Sequence, residues 1–174
     1  MAQRVNELAD EFEAVHREVV AFCEGLSKAD WATIVPNEQR TVGVLIQHIA
    51  IGYTAESALI RAIVTGQPLP AIYNDRALLD EANARDAVGL LPGTKADALT
   101  SLDRHARRTD RYLRSLSDEE LAMSEEIGIL GGAAWTVENL IERIILGHPK
   151  SHLTGIREAL AETAIQPSQG VRQG

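Results

Sequence analysis

Residues 41–66 read TVGVLIQHIAIGYTAESALIRAIVTG, and this stretch decides the fold class. Thr41 is a fit N-cap, and Gly66 with Pro68 ends the run. Between them Leu45, His48, Gly52 and Ala55 recur at three- and four-residue steps, with Ile49 and Ile63 beside them. That is helical spacing, and the stripe faces a core. A histidine lies on it, followed one turn later by small residues that would leave a hollow beside the imidazole.

Three more segments carry the same period. From Val5 to Gly25 the apolar positions are Val5, Leu8, Phe12, Val15, Val19 and Phe22. From Lys95 to Leu116 the expected buried line is Leu99, Leu102, Ala106, Thr109, Leu113 and Leu116, with Gly93 breaking the chain before it. The last helix starts at Thr136 and continues through VENLIERIILGHPKSHLTGIREALAET. Strand-like alternation is scarce, whereas Ala, Leu, Arg and Glu are frequent, which favours helices. Four amphipathic helices with two long connectors predict an all-α four-helix bundle, and long connectors permit parallel neighbours. The bundle is expected over residues 1–165, with 166–174 as a flexible tail. Within the connectors, 75–87 predicts a short helix. Ser117 with Glu120 predicts a capping box, and GILGGAAW a linker before the last helix.

Composition limits the function classes. The chain has 17 basic and 25 acidic residues, a formal charge of −8, which argues against general affinity for nucleic acid or an anionic membrane. A single cysteine, Cys23, excludes an internal disulfide and fits a reducing cytoplasm. Glu24 adjoins it, so Cys23 reads as packing and not as a nucleophile. No secretory leader and no membrane-spanning run are expected. The expected partner is a small molecule, and exposed helix faces would allow a homodimer.

The histidines carry the chemistry. His16 and His105 lie among charged residues and are expected to be solvated or paired at the surface. His148 and His152 instead continue the stripe of Ile141, Ile145 and Ile156 on the last helix. Two readings stand at this point. The pair is either core histidines that find partners, or, together with His48 from the second long helix, ligands for one divalent ion such as Zn²⁺ or Ni²⁺. Three protein ligands would leave one position open for substrate. The glutamate of an HExxH motif is absent, since Pro149 and Lys150 follow His148. Pro149 removes a backbone donor and presses on the Ile145 carbonyl, so a kink or loosening is expected there, eased by Gly147.

Other polar groups admit local explanations. Arg104, Arg107, Arg108, Arg111 and Arg114 read as a solvated face paired with acids such as Glu11, Glu13 and Glu18. Arg85, with Asn83 and Asp86, could present polar groups over a core site, or Asn83 and Asp86 could merely cap turns. Glu56, two turns beyond His48, could support a histidine or act as a base, or could be exposed. Trp31 and Trp135 are expected to cover the bundle ends.

The order of these features resembles the DinB/YfiT-like family of metal-dependent enzymes. The likeness is carried by W....PNEQRTVGVLIQHIA (31–50), NARD (83–86), SLSDEELA (115–122) and the HxxxH pair, over roughly residues 5–162. The resemblance implies a bundle in up-down-down-up order with a divalent metal on His48, His148 and His152. It also implies a thiol-dependent S-transferase that uses a low-molecular-weight thiol such as mycothiol or bacillithiol against a small electrophile. Arg85 is the residue expected to anchor that substrate. The alternative expectation is a non-catalytic metal- or ligand-binding stress-response protein; a third is a bundle whose histidines only pack.

Overall fold

A computed structural model describes residues 3–89 and 93–165; the tail expected at 166–174 lies outside them. Its elements run α1 (Gln3–Gly25), α2 (Lys28–Ala32), β1 (Ile34–Val35), β2 (Arg40–Thr41) and α3 (Val42–Val64). Then come a 3₁₀ turn (Ala71–Tyr73), α4 (Arg76–Gly89), α5 (Lys95–Leu113), α6 (Asp118–Leu121) and β3 (Ser124–Glu126). A second 3₁₀ turn (Gly128–Leu130), β4 (Ala134–Thr136), α7 (Val137–Leu140), a π-helical turn (Ile141–Leu146) and α8 (Gly147–Ile165) complete the chain. The last three run on without a break, so residues 137–165 form one helix.

Helix starts follow the expected caps. The Thr41 hydroxyl accepts from the Val44 N–H and the Thr136 hydroxyl from the Asn139 N–H. Ser117 and Glu120 form the expected capping box. Ser27 with Asp30 and Thr94 with Asp97 form two more that open α2 and α5. At Asp75 the carboxylate accepts from the Ala77 and Leu78 N–H groups, which starts α4 close to its expected place.

Cross-helix contacts fix the directions. Lys95, at the start of α5, donates to the carbonyls of Glu24 and Leu26, while Arg114 at its end meets Asp10, so α1 and α5 are antiparallel. Thr54 meets His105 and Arg61 stacks over Tyr112, so α3 and α5 are parallel. Arg4 pairs with Glu138 and Glu142, and Arg157 with Glu18, so α1 and the last helix are also parallel. The order is up-down-down-up, and the connector from 65 to 94 is long because it must return the chain to the end where α3 began.

The core lies between the four long helices. Phe12 and Tyr53 meet edge to face at 5.0 Å, both almost wholly buried. Beside them the Thr109 hydroxyl donates to the Tyr53 carbonyl, and Ser57 and Thr109 hydrogen-bond each other. The buried line of α5 differs from the expected one at its start: Ala98 and Ser101 are buried and Leu99 is half-buried. Small residues there let α5 lie close to its neighbours while Leu99 covers the edge.

The connectors contain two hairpins that the sequence did not suggest. β1 pairs with β2 (Ile34 opposite Thr41), and β3 with β4 (Glu125 opposite Trp135). Each is too short to show alternation. The second docks against the first 3₁₀ turn at Gly128, where a Cβ would sit 2.8 Å from the Asn74 carbonyl oxygen, so only glycine fits. Among the described residues, no helix is long and apolar enough to cross a membrane.

Candidate metal centre

Helix α3 presents His48, and α8 presents His148 and His152, at the same depth of the bundle. The three rings meet edge to face, with centroids 5.1 Å apart for His48 and His148, 5.2 Å for His48 and His152, and 4.4 Å for the α8 pair. One nitrogen from each falls within 4.8 Å of the others. The hollow expected beyond His48 exists, and the His148 ring fills it: a Cβ on Gly52 would stand 3.1 Å from His148 Cε1.

The loosening expected near Pro149 takes the form of a π-helical turn just before the histidine pair. The chain is π-helical from Ile141 to Leu146, immediately before it, and regular α-helix from Gly147. The wider turn lies where the proline ring would otherwise press on the Ile145 carbonyl, and π-turns commonly occur at functional sites. Gly147 fits the crowded junction, since a Cβ there would lie 3.3 Å from the Glu142 carbonyl oxygen.

A carboxylate stands behind each imidazole. Glu56 Oε1 is 2.6 Å from His148 Nδ1, Glu38 Oε1 is 2.7 Å from His152 Nδ1, and Asp86 Oδ2 is 3.5 Å from His48 Nδ1. The last of these is an ion-pair distance without a hydrogen bond, so His48 Nδ1 is buried and unbonded. An Nδ1 held on a carboxylate carries the proton, which leaves Nε2 as a lone pair. The His148 and His152 Nε2 atoms then face each other at 2.7 Å. Two lone pairs at that distance repel unless a metal ion or a proton lies between them, and the buried ring of His48 adds a third nitrogen. This donor set, three imidazoles each with an acid behind it, is one that nitrogen-preferring divalent metals take.

Electrostatics separate the rings: His48 is held neutral, whereas His148 is drawn toward its charged form. Burial, then the His148 and His152 rings and Arg40, push His48 down to about 3, so it is a neutral donor at any ordinary pH. Burial also opposes charge on His148, but the Glu56 carboxylate outweighs it and the net shift is upward. The hydrogen bond from His152 holds Glu38 below the usual glutamate range despite its partial burial.

The cluster forms one end of a pocket of about 410 Å³ between α3, α4 and the last helix. Its walls are largely apolar, with Ile51, Ile72, Leu79, Ile129 and Ile144 among them. The face of α4 that contributes Leu79, Ala82, Asn83 and Asp86 leaves out Arg85. Arg85 is instead exposed and paired with Glu81 at 3.2 Å, one turn away on the outer face. Its helical phase turns it away from the pocket, which Asn83 and Asp86 line.

Two residues here were not picked out from the sequence. Glu38 and Arg40 belong to the β1–β2 hairpin, and neither has helical spacing to any histidine. Gln39 between them takes a left-handed backbone (φ 54°), which tightens the turn that directs both toward the site. Trp31 and Trp135 pack against the core edge and do not line the pocket. His16 and His105, expected to be solvated or paired at the surface, are both half-buried, and His105 is paired. His16 lies half-buried against Tyr53, with burial lowering its pKa, and His105 bonds Thr54 at 2.9 Å. The arginines of α5 behave as a solvated face, with Arg107 on Asp103 and Arg114 on Asp110, Asp10 and Glu13.

Residues 11–156 match the family model of the DinB superfamily. The chain belongs to that superfamily. Among solved structures it is similar to YfiT from Bacillus subtilis, described as a probable metal-dependent hydrolase with an unusual four-helix bundle topology. The TM-score is 0.68 at 15% identity, over 94% of this chain and 90% of that one. No curated protein sequence matches this chain. At that identity the likeness to YfiT speaks for the fold, and the DinB bundle described above is the architecture the two share.

Proposed function

We propose that this DinB-superfamily protein is a divalent-metal-dependent enzyme acting on a small molecule, with His48, His148 and His152 as the metal ligands. The carrying observation is the pair of Nε2 atoms facing each other at 2.7 Å while both Nδ1 atoms are held on Glu38 and Glu56. A bound divalent ion supplies Lewis acidity, which lowers the pKa of a thiol or a water at its open position. The chain's own residues do the rest. Glu38 and Glu56 fix the tautomers and orient the rings, Asp86 stands behind His48, and the apolar walls shed water from the pocket.

The reaction class we favour is transfer of a small thiol, of the mycothiol or bacillithiol kind, to an electrophile. A thiol ionises close to neutrality once near a cation and needs no separate base, and the oxygens of Glu38 and Glu56 nearest the cluster are already committed to imidazoles. The second reading is hydrolysis. It is favoured by the other carboxylate oxygen of Glu56, Oε2, which is buried without a partner and could take a proton from water.

One experiment separates them. Zinc- or nickel-loaded protein is given monochlorobimane with mycothiol, bacillithiol or glutathione, and in parallel p-nitrophenyl acetate without thiol. Metal-dependent thiol conjugation that is lost in His152→Ala supports the transferase. Ester hydrolysis lost in both His152→Ala and Glu56→Gln supports the hydrolase. Neither activity, in protein shown to contain metal, rejects the catalytic reading.

A further inference from the structure

Arg40 has no role in holding the histidines, yet it lies in the wall of the same pocket. It is 8% exposed, and among the described residues no carboxylate lies within the 4.0 Å of an ion pair. Its Nη2 donates to the Asn83 carbonyl at 2.6 Å, and its Nε–H is buried without an acceptor. A guanidinium carries five donors and cannot lose its charge. The acids of the same lining offset its charge at a distance, but its donors meet a single neutral carbonyl, and an anion at the guanidinium would fill those left over. Glu38 and Glu56 each hold an imidazole, and Asp86 stands 3.5 Å from His48 Nδ1.

We infer that the substrate of this pocket carries a carboxylate that Arg40 binds, with an apolar body along the isoleucine- and leucine-lined wall and its reacting end toward the histidines. This rests on the reading of the pocket as a metal-dependent active site. The charge balance supports a monoanion over a phosphate. At formal charges Glu38, Glu56, Asp86 and Arg40 leave the pocket with two negative charges, which one divalent cation cancels. A single carboxylate then meets a neutral cluster with one cation directed at it. On the same balance a phosphate dianion would leave two uncompensated negative charges, with one arginine and no lysine in the lining. The same balance makes anion binding depend on the metal.

Binding is tested by calorimetry on zinc-loaded full-length protein, with straight-chain monocarboxylates from butanoate to octanoate as probes and hexanamide as the neutral isostere of hexanoate. Zinc content and thermal melting are measured on the same samples. The expected result is that wild type binds at least one carboxylate of the series, and hexanoate at least tenfold more tightly than hexanamide. Arg40→Met should weaken hexanoate at least tenfold while keeping its zinc. Arg40→Gln, which retains a donor for the Asn83 carbonyl, should lose binding equally and so separates charge from folding. Arg40→Lys should restore part of it.

Equal binding of acid and amide, no binding of any chain length, or hexanoate held as tightly by the uncharged variants as by wild type would each overturn the inference. The last would also mark a carboxylate held by the metal alone. Wild type that takes up no zinc contradicts the metal-dependent reading instead, and the zinc assay reports that independently of any carboxylate.

Discussion

His148 Nε2 and His152 Nε2 face each other at 2.7 Å across one turn of α8, while Glu56 and Glu38 hold the opposite nitrogens of the two rings. The acids come from different parts of the chain, Glu56 from α3 and Glu38 from the hairpin before it. The paired lone pairs are therefore a product of tertiary structure and not of the HxxxH spacing alone. A ring free to turn would relieve the repulsion by rotating away. These rings are braced.

That bracing predicts the effect of Glu56→Gln. The amide still reaches His148 but no longer favours one tautomer by charge. Zinc affinity should fall by about 10- to 100-fold, measured by competition with a chromogenic chelator. An unchanged affinity would show that Glu56 does not support the site.

Gly52→Ala should act on the same ring from the other side. The added methyl would stand 3.1 Å from His148 Cε1 and 3.2 Å from Nδ1, closer than an imidazole tolerates without moving. Metal affinity should drop at least about fivefold while the melting temperature of the metal-free protein stays within a few degrees. A larger loss of stability than of affinity would place the role of Gly52 in helix packing.

Phe12→Ala removes one ring of the 5.0 Å pair with Tyr53 from the fully buried core. It should destabilise by about 3–5 kcal/mol, read from urea unfolding of the metal-free protein. The pocket does not include Phe12, so stoichiometry of metal in the folded fraction should not change.

Burial pushes the Cys23 thiol up from 9.0 to about 11. The unfolded thiol ionises first, so stability falls as pH rises from about 9 to about 11, by at most about 1.4 kcal/mol per pH unit. The buried tyrosines, raised from 10.0, lower stability in the same direction from about pH 10, and the difference between wild type and Cys23→Ala isolates the thiol. At pH 8 the folded protein should not react with a disulfide reagent, and full reactivity should return in denaturant.

Much of this was legible in the sequence because it is periodic or local. Helical steps marked α1, α3, α5 and the last helix, and the caps at Thr41, Ser117 and Thr136 follow from single residue types. His48, His148 and His152 stood out because they interrupt apolar stripes. What was not legible depends on contacts between distant segments. Glu38 and Arg40 belong to a two-residue-per-strand hairpin with no pattern of its own, and only folding directs them to α8 and α4. Arg85 attracted attention by its chemistry, yet the phase of α4 turns it outward and its neighbours Asn83 and Asp86 inward. A loosening at Pro149 was legible from its clash with the Ile145 carbonyl, but not that it takes the form of a π-turn in the preceding residues.

The account stands on the three histidines holding one metal ion. The direct measurement is elemental analysis of protein purified without an affinity tag, beside the His152→Ala variant, with melting curves before and after adding Zn²⁺ or Ni²⁺. The account predicts about one equivalent per chain in wild type, raised melting on metal addition, and loss of both in the variant. No metal in either protein, and no thermal shift with either ion, would contradict it and return the histidines to the role of core residues.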